Sequence, residues 1–277
     1  MRPITVSPTE EGHIAVSFRD LHYADEPLLL PNVWDVSSAL AFFDAGYRAI
    51  GTTSFGVAAS AGHPDGARSS KAPTGVLVRA LRKLPIYVSA DIEDGYHEDP
   101  DAVAGYVCDL GADGINIEDS TDEKLISPQI HAAKVSAIKE RSPEVFVNAR
   151  IDTYWLNQDA NVSATLERAE AYVQAGADGI FVPGASDVSD LRQLTANIPV
   201  PVNVLVVPGL SLAELADLGI RRVSTGSLPY RAAIDAAVQV AQNLRDGVPP
   251  PAATAYPVMQ TRLVEFDRMS HTGGSRF

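Results

Sequence analysis

Cysteine is nearly absent: Cys108 is the only one in 277 residues. An internal disulfide, a thiolate metal cluster and a Cys-x-x-Cys redox pair are therefore excluded, and a reducing, cytoplasmic setting is the expected one. Positive charge is scarce as well. The chain carries 22 Lys+Arg against 35 Asp+Glu, a formal charge of −13, so it has no basic excess to neutralise phosphates, and neither nucleic acid nor an anionic membrane is expected as a partner. No run approaches the roughly 18 apolar residues of a membrane span, and the opening MRPITVSPTEEGHIAV lacks the apolar stretch of an export signal. The sequon at Asn161-Val162-Ser163 is read accordingly as chance. Neither a Gly-rich dinucleotide fingerprint nor a Walker phosphate loop is present, which leaves a small-molecule substrate as the natural partner.

What the sequence does hold is a core's worth of apolar residues, 45% of the chain, arranged as short β-branched runs alternating with helical stretches. Eight runs read as strands: 28–31, 49–53, 86–91, 114–118, 145–150, 179–183, 202–206 and 222–225. A weak repeat, FDAGYRAI, CDLGADGI, VQAGADGI and ADLGIRRV, places Gly46, Gly111, Gly176 and Gly219 where a helix stops and a strand begins, the position at which glycine best tolerates a left-handed backbone. Eight βα units predict a (β/α)8 TIM barrel over residues 18–246, with an open doubly wound sheet as the second choice. Residues 1–17 form an N-terminal extension. Residues 247–277 form a proline-rich connector, a short helix over 260–269 and a tail, the helix being free either to dock on its own barrel or to pack on a neighbour.

In a barrel the working face lies at the C-terminal ends of the strands, and there the polar residues collect. The second run is followed by Thr52, Thr53, Ser54 and then Gly-His63-Pro-Asp65-Gly; the third ends in DIEDGY, the fourth in NIED and the fifth in NARID. Residues two apart on an extended backbone share a face, which pairs Asp91 with Glu93, Asn116 with Glu118, and Asn148 with Arg150 and Asp152. Carboxylates crowded on one rim repel unless a cation or protons intervene. An all-oxygen set without paired histidines suits Mg²⁺ or Mn²⁺, and Arg150 in an acidic mouth suits a bidentate clamp on a substrate carboxylate or phosphonate.

Other residues read more plainly. Asp35 is the N-cap of the helix that follows it, Asp99-Pro100 opens another helix, and Asp119 is divided evenly between a supporting role and a cap. His63, His97 and His131 show no ligand spacing and are expected on loops or the surface, while Cys108, in GYVCDLG, is expected in the core. GTTSFG does not form the G-x-S-x-G elbow of a serine hydrolase.

Taken together, LLLPNVWDVSSA, AGYRAIGTTSFGVAASAGHPDG, VSADIEDGY, GINIEDS, FVNARID, GADGIFVPG and VSTGSLPYR resemble, in order, segments of the isocitrate lyase/phosphoenolpyruvate mutase superfamily, from about Phe18 to Leu244. The resemblance implies a (β/α)8 barrel forming helix-swapped homodimers or homotetramers, with Mg²⁺ and a reaction that makes or breaks a C–C or P–C bond beside a 2-oxo acid. It implies metal-side roles for Asp91, Glu93, Glu118 and Asp65, and substrate contacts from Trp34, Thr53, Ser54, Phe55, Gly56, Asn148 and Arg150. Arg150 and Glu118 would also serve catalysis. The fit departs after the fourth strand. STDEKLISPQ has neither the length nor the cysteine of the lyase loop, so isocitrate and methylisocitrate lyase activities are not expected. Lys124 is the candidate for the gating-loop lysine of the mutases, although no asparagine follows it nearby. His97 stands where many relatives have glycine, as a candidate substrate contact or general acid. The alternative is a binding or sensing relative that has lost the gating loop and with it the activity.

Overall fold

A computed structural model describes residues 16–269. Among the described residues the strands are β1 (Leu28–Leu30), β2 (Asn32–Val33), β3 (Ala49–Thr52), β4 (Tyr87–Asp91), β5 (Gly114–Glu118), β6 (Ser120–Thr121), β7 (Lys124–Leu125), β8 (Phe146–Arg150), β9 (Gly179–Phe181), β10 (Val202–Leu205) and β11 (Arg222–Ser224). All but β6 and β7 form the main sheet, which is parallel with the order β1-β11-β10-β9-β8-β5-β4-β3-β2. The first barrel strand is divided at Pro31, which has no N–H to give a ladder. Its front half, β1, pairs with β11 and its rear half, β2, with β3, so the two ends of the sheet are one strand and the barrel closes on eight. The eight expected strands are all present, and β5 has the expected bounds.

Helices separate the strands: α1 (Val36–Asp44), α2 (Ser54–Ser60), α3 (Lys71–Leu81), α4 (Pro100–Leu110), α5 (Pro128–Arg141), α6 (Val162–Gln174), α7 (Val188–Asn197), α8 (Leu212–Asp217), α9 (Leu228–Arg245) and α10 (Tyr256–Met269). Their limits follow local chemistry. Asp35 caps α1 in a reciprocal box with Ser38, Asp99 caps α4 ahead of Pro100, and Asn161 caps α6. Gly46, Gly111, Gly176 and Gly219 all have positive φ, as their place after helices requires. The core lies between barrel and helices, with Ile50, Val88, Ile115, Val147, Ile180 and Val204 at or near complete burial.

Two expectations are corrected. Cys108 is exposed: α4 buries Val103, Ala104, Val107 and Leu110, and one residue beyond Val107 the helix has turned about 100° toward solvent. His131 is fully buried on α5 with its ring against Tyr172, and burial, then the charge of Lys134, lowers its pKa to about 3, keeping it neutral. The segment after β5 forms a small antiparallel hairpin, β6 (Ser120–Thr121) and β7 (Lys124–Leu125). Asp122 and Glu123 both take positive φ in its two-residue turn.

The C-terminal helix begins at Tyr256, earlier than expected, and docks on its own barrel. Phe266 packs against the core, Arg262 pairs with Asp44, and the Lys83 ammonium lies 5.3 Å from the Phe266 ring. By contrast, no residue of α9 is buried, and Ile234, Val238 and Leu244 are exposed.

Strand β5 lies mid-sheet, so truncating Ile115 to alanine should lower unfolding free energy by about 2–5 kcal/mol. Urea denaturation checks this; a change under about 1 kcal/mol would contradict the packing.

Candidate active site

Two adjoining cavities open at the C-terminal rim, and both are walled by Ser54, Asp65, Arg150 and Trp155. The inner one, about 330 Å³, reaches down to Asn32, Asp91, Asn116 and Ser224. The outer one, about 730 Å³, is bounded by Glu93, Asp94, Glu118 and the hairpin residues 120–123. The rim is divided in character. The ends of β4, β5 and β8 bring charge, whereas β9, β10 and the segments after them bring Phe181, Pro183, Leu205, Val206 and Pro208.

Arg150 ends β8 beside Glu118, its register partner at the end of β5. Its Nη1 donates to Glu118 Oε2 at 2.8 Å and its Nε to Asp152 Oδ1 at 2.6 Å. Desolvation opposes its charge, but the carboxylates of Asp152, Glu118 and Asp91 outweigh it and hold the guanidinium firmly protonated. Burial pushes the Glu118 carboxyl well above the usual range; Arg150 pulls it down, while Asp152, Asp91 and Glu93 add to the rise. Behind this pair, Asp119 is wholly buried. It accepts from the backbone N–H of Asp152, from Arg168 and from the Tyr172 hydroxyl, and so supports the strand end that carries Arg150.

Asp91 ends β4. Its carboxylate accepts the Ser54 N–H at 3.0 Å, and its own N–H is held by Thr52 Oγ1. Asp65, on the segment after α2, shares this corner: its pKa is raised by desolvation and then by the charge of Asp91, with the Ser54 hydroxyl pulling it back. Two mutually repelling carboxylates at an oxygen-lined cavity are a fitting seat for a hard divalent ion, which takes one or two carboxylates and fills its remaining positions with water or substrate. Among the described residues no group of three or more His, Cys, Asp or Glu is placed to hold a metal ion, so an ion here would have two protein carboxylates at most.

Glu93 is placed differently from the extended-chain expectation. The strand stops at Asp91 and the chain turns, with Glu93 and Tyr96 at positive φ. The Glu93 carboxylate then accepts the N–H groups of Arg68 and Ser70 and the Ser70 hydroxyl. It pins the loop after α2 and lines the outer cavity, whereas Asp91 lines the inner one. Asp94, which the sequence pattern did not single out, binds the Arg68 guanidinium and Thr121 Oγ1. It thereby anchors the hairpin, whose other side is held by Gln158 through Leu125 N–H and the Glu123 carbonyl.

Thr53, Ser54 and Phe55 line the inner cavity. Trp34, Gly56 and Asn148 do not. Trp34 stacks edge-on to Tyr230, a Cβ on Gly56 would come within 2.8 Å of Thr53 and 3.1 Å of Trp34, and Asn148 lies below the cavity, donating to Asn116. Lys124 and His97 are exposed and off both cavity walls; His97 Nδ1 accepts the Asp99 N–H near the start of α4. Trp155 and Phe181, whose rings lie 5.7 and 6.0 Å from the Arg150 guanidinium, were not anticipated. Phe181 follows the strand-end rule that found the carboxylates, whereas Trp155 lies on a loop that no periodicity marks.

A closed parallel barrel with an arginine-carboxylate cluster at its C-terminal rim is the architecture of a (β/α)8 enzyme. Residues 18–245 match the phosphoenolpyruvate phosphomutase family, and the chain belongs to it, as an enzyme of the isocitrate lyase/phosphoenolpyruvate mutase superfamily. It is 55% identical over 257 residues, 93% of this chain and 100% of the relative, to the uncharacterized protein Rv1998c of Mycobacterium tuberculosis (strain ATCC 25618 / H37Rv). It is 28% identical over 246 residues, 82% of this chain and 80% of the relative, to 2-methylisocitrate lyase of Bacillus subtilis (strain 168). Phosphonopyruvate hydrolase, solved in complex with oxalate and Mg²⁺, shares the fold with a TM-score of 0.77 and 22% identity, covering 91% of this chain and 94% of that one. Nothing in these relationships supports the alternative of a binding relative without activity.

Because the Asp65 pKa is raised on folding, its ionised form opposes folding above the unfolded value of 3.8, and removing the charge should relieve that opposition. Asp65→Asn should therefore melt at or above the wild-type temperature at pH 7 without metal. Mg²⁺ at a hundredfold over its dissociation constant should add about 2.7 kcal/mol to the wild type and clearly less to the variant at the same concentration. Equal metal stabilisation in calorimetry would contradict a role for Asp65.

Proposed function

We propose that this enzyme uses Mg²⁺, or Mn²⁺ in its place, to break a C–C or P–C bond next to the carbonyl of a small 2-oxo or 2-hydroxy di-acid or phosphonate, through an enolpyruvate-like oxyanion. The observation that carries this reading is Arg150: a permanently charged guanidinium, tied to Glu118 and Asp152, on the wall of the cavity that also holds Asp91. Asp91 would hold the metal, with Asp65 beside it. When bound, the metal would supply a Lewis acid for the 2-oxo and carboxylate oxygens.

The protein's own part follows from the geometry. Arg150 offers its remaining N–H groups to a substrate carboxylate or to the developing oxyanion. Glu118, whose pKa is raised above the usual carboxyl range by burial, is placed to hold or release a proton at its carboxyl oxygen. Thr53 and Ser54 meet the polar head of the substrate, and Trp155 and Phe181 exclude water from the far side. With Lys124 and His97 off the cavity walls, proton transfer in this reading rests on Glu118. The hairpin, fixed from both sides, acts as a wall where larger relatives carry a loop. The exposed apolar face of α9 supports its exchange between subunits of a homodimer, alone or within a homotetramer.

The test is ¹H and ³¹P NMR of the purified protein with Mg²⁺ and a panel of oxaloacetate, substituted malates, methylisocitrate and phosphonopyruvate, alongside an EDTA control. Loss of one component, stopped by EDTA, is expected. Glu118→Gln and Arg150→Ala should each slow it by roughly 10²–10³-fold with circular dichroism unchanged. Turnover that survives both substitutions would contradict the reading.

A further inference from the structure

Under the inner cavity lies a charge that no carboxylate among the described residues pairs with. Arg222, the first residue of β11, is fully buried. Its Nε donates to Ser224 Oγ at 3.2 Å, and its Nη2 donates to Asn116 Oδ1 at 3.1 Å and to Ser89 Oγ at 3.4 Å. Its Nη1 has no hydrogen-bond partner. Among the described residues no carboxylate lies within ion-pair distance of it. The other arginine at the site, Arg150, is tied to two carboxylates, and a buried cation left without one is costly to keep. Burial lowers the Arg222 pKa to about 9, with the charge of Asp91 drawing it back up, so it remains charged at neutral pH.

What this cation holds is Asn116. The Asn116 side-chain oxygen accepts from Arg222 Nη2 and also from Asn148 Nδ2 at 2.9 Å. Both of its acceptor sites are thus filled from below. The orientation of the amide follows: its Nδ2 is the end left over, no protein acceptor among the described residues takes its hydrogens, and Asn116 lines the floor of the inner cavity beside Asp91. A carbonyl that accepts from a guanidinium is polarised, and its amide N–H₂ becomes a stronger donor.

We propose that Asn116 is a substrate-contacting residue that donates from Nδ2 to an anionic oxygen of the bound acid head group, and that Arg222 is the positioning residue that fixes and polarises its amide from beneath. This deepens the reading under Proposed function and rests on it. The anion that balances Arg222 is, in this account, the substrate itself, reached through one intervening amide. The arrangement favours a planar head with two anionic oxygens over a neutral one, because the positive charge has no carboxylate partner among the described residues.

Oxalate is the probe, a planar dianion. Its affinity for the full-length, Mn²⁺-loaded protein is measured by calorimetry, with Mn²⁺ affinity measured separately by electron paramagnetic resonance. The wild type should bind oxalate only with the metal present. Asn116→Ala should weaken oxalate at least tenfold, about 1.4 kcal/mol, while Mn²⁺ affinity stays within about twofold, a split that general collapse of the site would not give. Asn116→Asp supplies Arg222 with a carboxylate but replaces the donor by an acceptor. That variant should melt no lower than wild type yet lose oxalate binding. Arg222→Lys should weaken oxalate in the wild-type background and add nothing to Asn116→Ala. Wild-type oxalate affinity in both Asn116 variants overturns the proposal, and additive losses in the double variant overturn the part given to Arg222. A wild type that binds Mn²⁺ but no oxalate removes the functional reading itself, and this inference with it.

Discussion

The rim of the barrel must carry a concentration of negative charge, and most of the surrounding structure compensates for it. Asp65, Asp91, Glu93, Asp94, Glu118 and Asp152 come from three consecutive strand ends and one loop. Their relief is unequal. Glu118 and Asp152 share Arg150, Asp94 takes Arg68, and Glu93 is satisfied by the N–H groups and hydroxyl of the segment it pins. Asp91, with Asp65 beside it, is left with a single backbone N–H from Ser54. The compensation is therefore uneven, and the deficit falls where the inner cavity begins. A preorganised site places its unsatisfied charge where the reaction needs it and spends its other polar contacts on fixing geometry.

The positive charges are arranged by the same logic. Arg68, Arg150 and Arg168 are each matched to a carboxylate, and Arg168 acts at a distance by holding Asp119 against the backbone of Asp152. Arg222 alone sits below the floor among neutral partners. The barrel interior is consequently polar over part of its depth, with Asn116, Asn148, Asn203, Ser89 and Ser224 in place of the branched apolar side chains that fill most barrels. Such a network specifies orientation more than it adds stability.

Much of this architecture could be read from the sequence because it depends on local chemistry. Glycines after helices, Asp35 and Asp99 as caps, and the apolar strand cores each follow from backbone preference, and the strand-end rule led to Asp91, Glu118 and Arg150 without any three-dimensional information. The readings failed where a side chain's surroundings are set by residues far away in sequence. Glu93 was assigned the face of Asp91 by carrying an extended backbone past Asp91, where the strand in fact stops and the chain turns, with Glu93 itself in the left-handed region. Cys108 and His131 lie on helices whose buried faces are set by packing partners. Arg221 and Arg222 are adjacent and look alike in sequence, yet one is exposed and the other wholly buried, because neighbouring strand positions face opposite ways and only closure of the barrel determines which is inside. Lys124 and His97 illustrate the reverse limit: a residue type at a familiar spacing does not reach the cavity when the intervening loop is short and pinned.

The account turns on Asp91 being the carboxylate left for a cation while its neighbours are neutralised by protein groups. The most direct test is a Mn²⁺ titration of the wild type and of Asp91→Asn by electron paramagnetic resonance, with circular dichroism to confirm the fold. The account predicts one tight Mn²⁺ per chain in the wild type and its loss in the variant. Undiminished Mn²⁺ binding by Asp91→Asn, or none by the wild type, would contradict it.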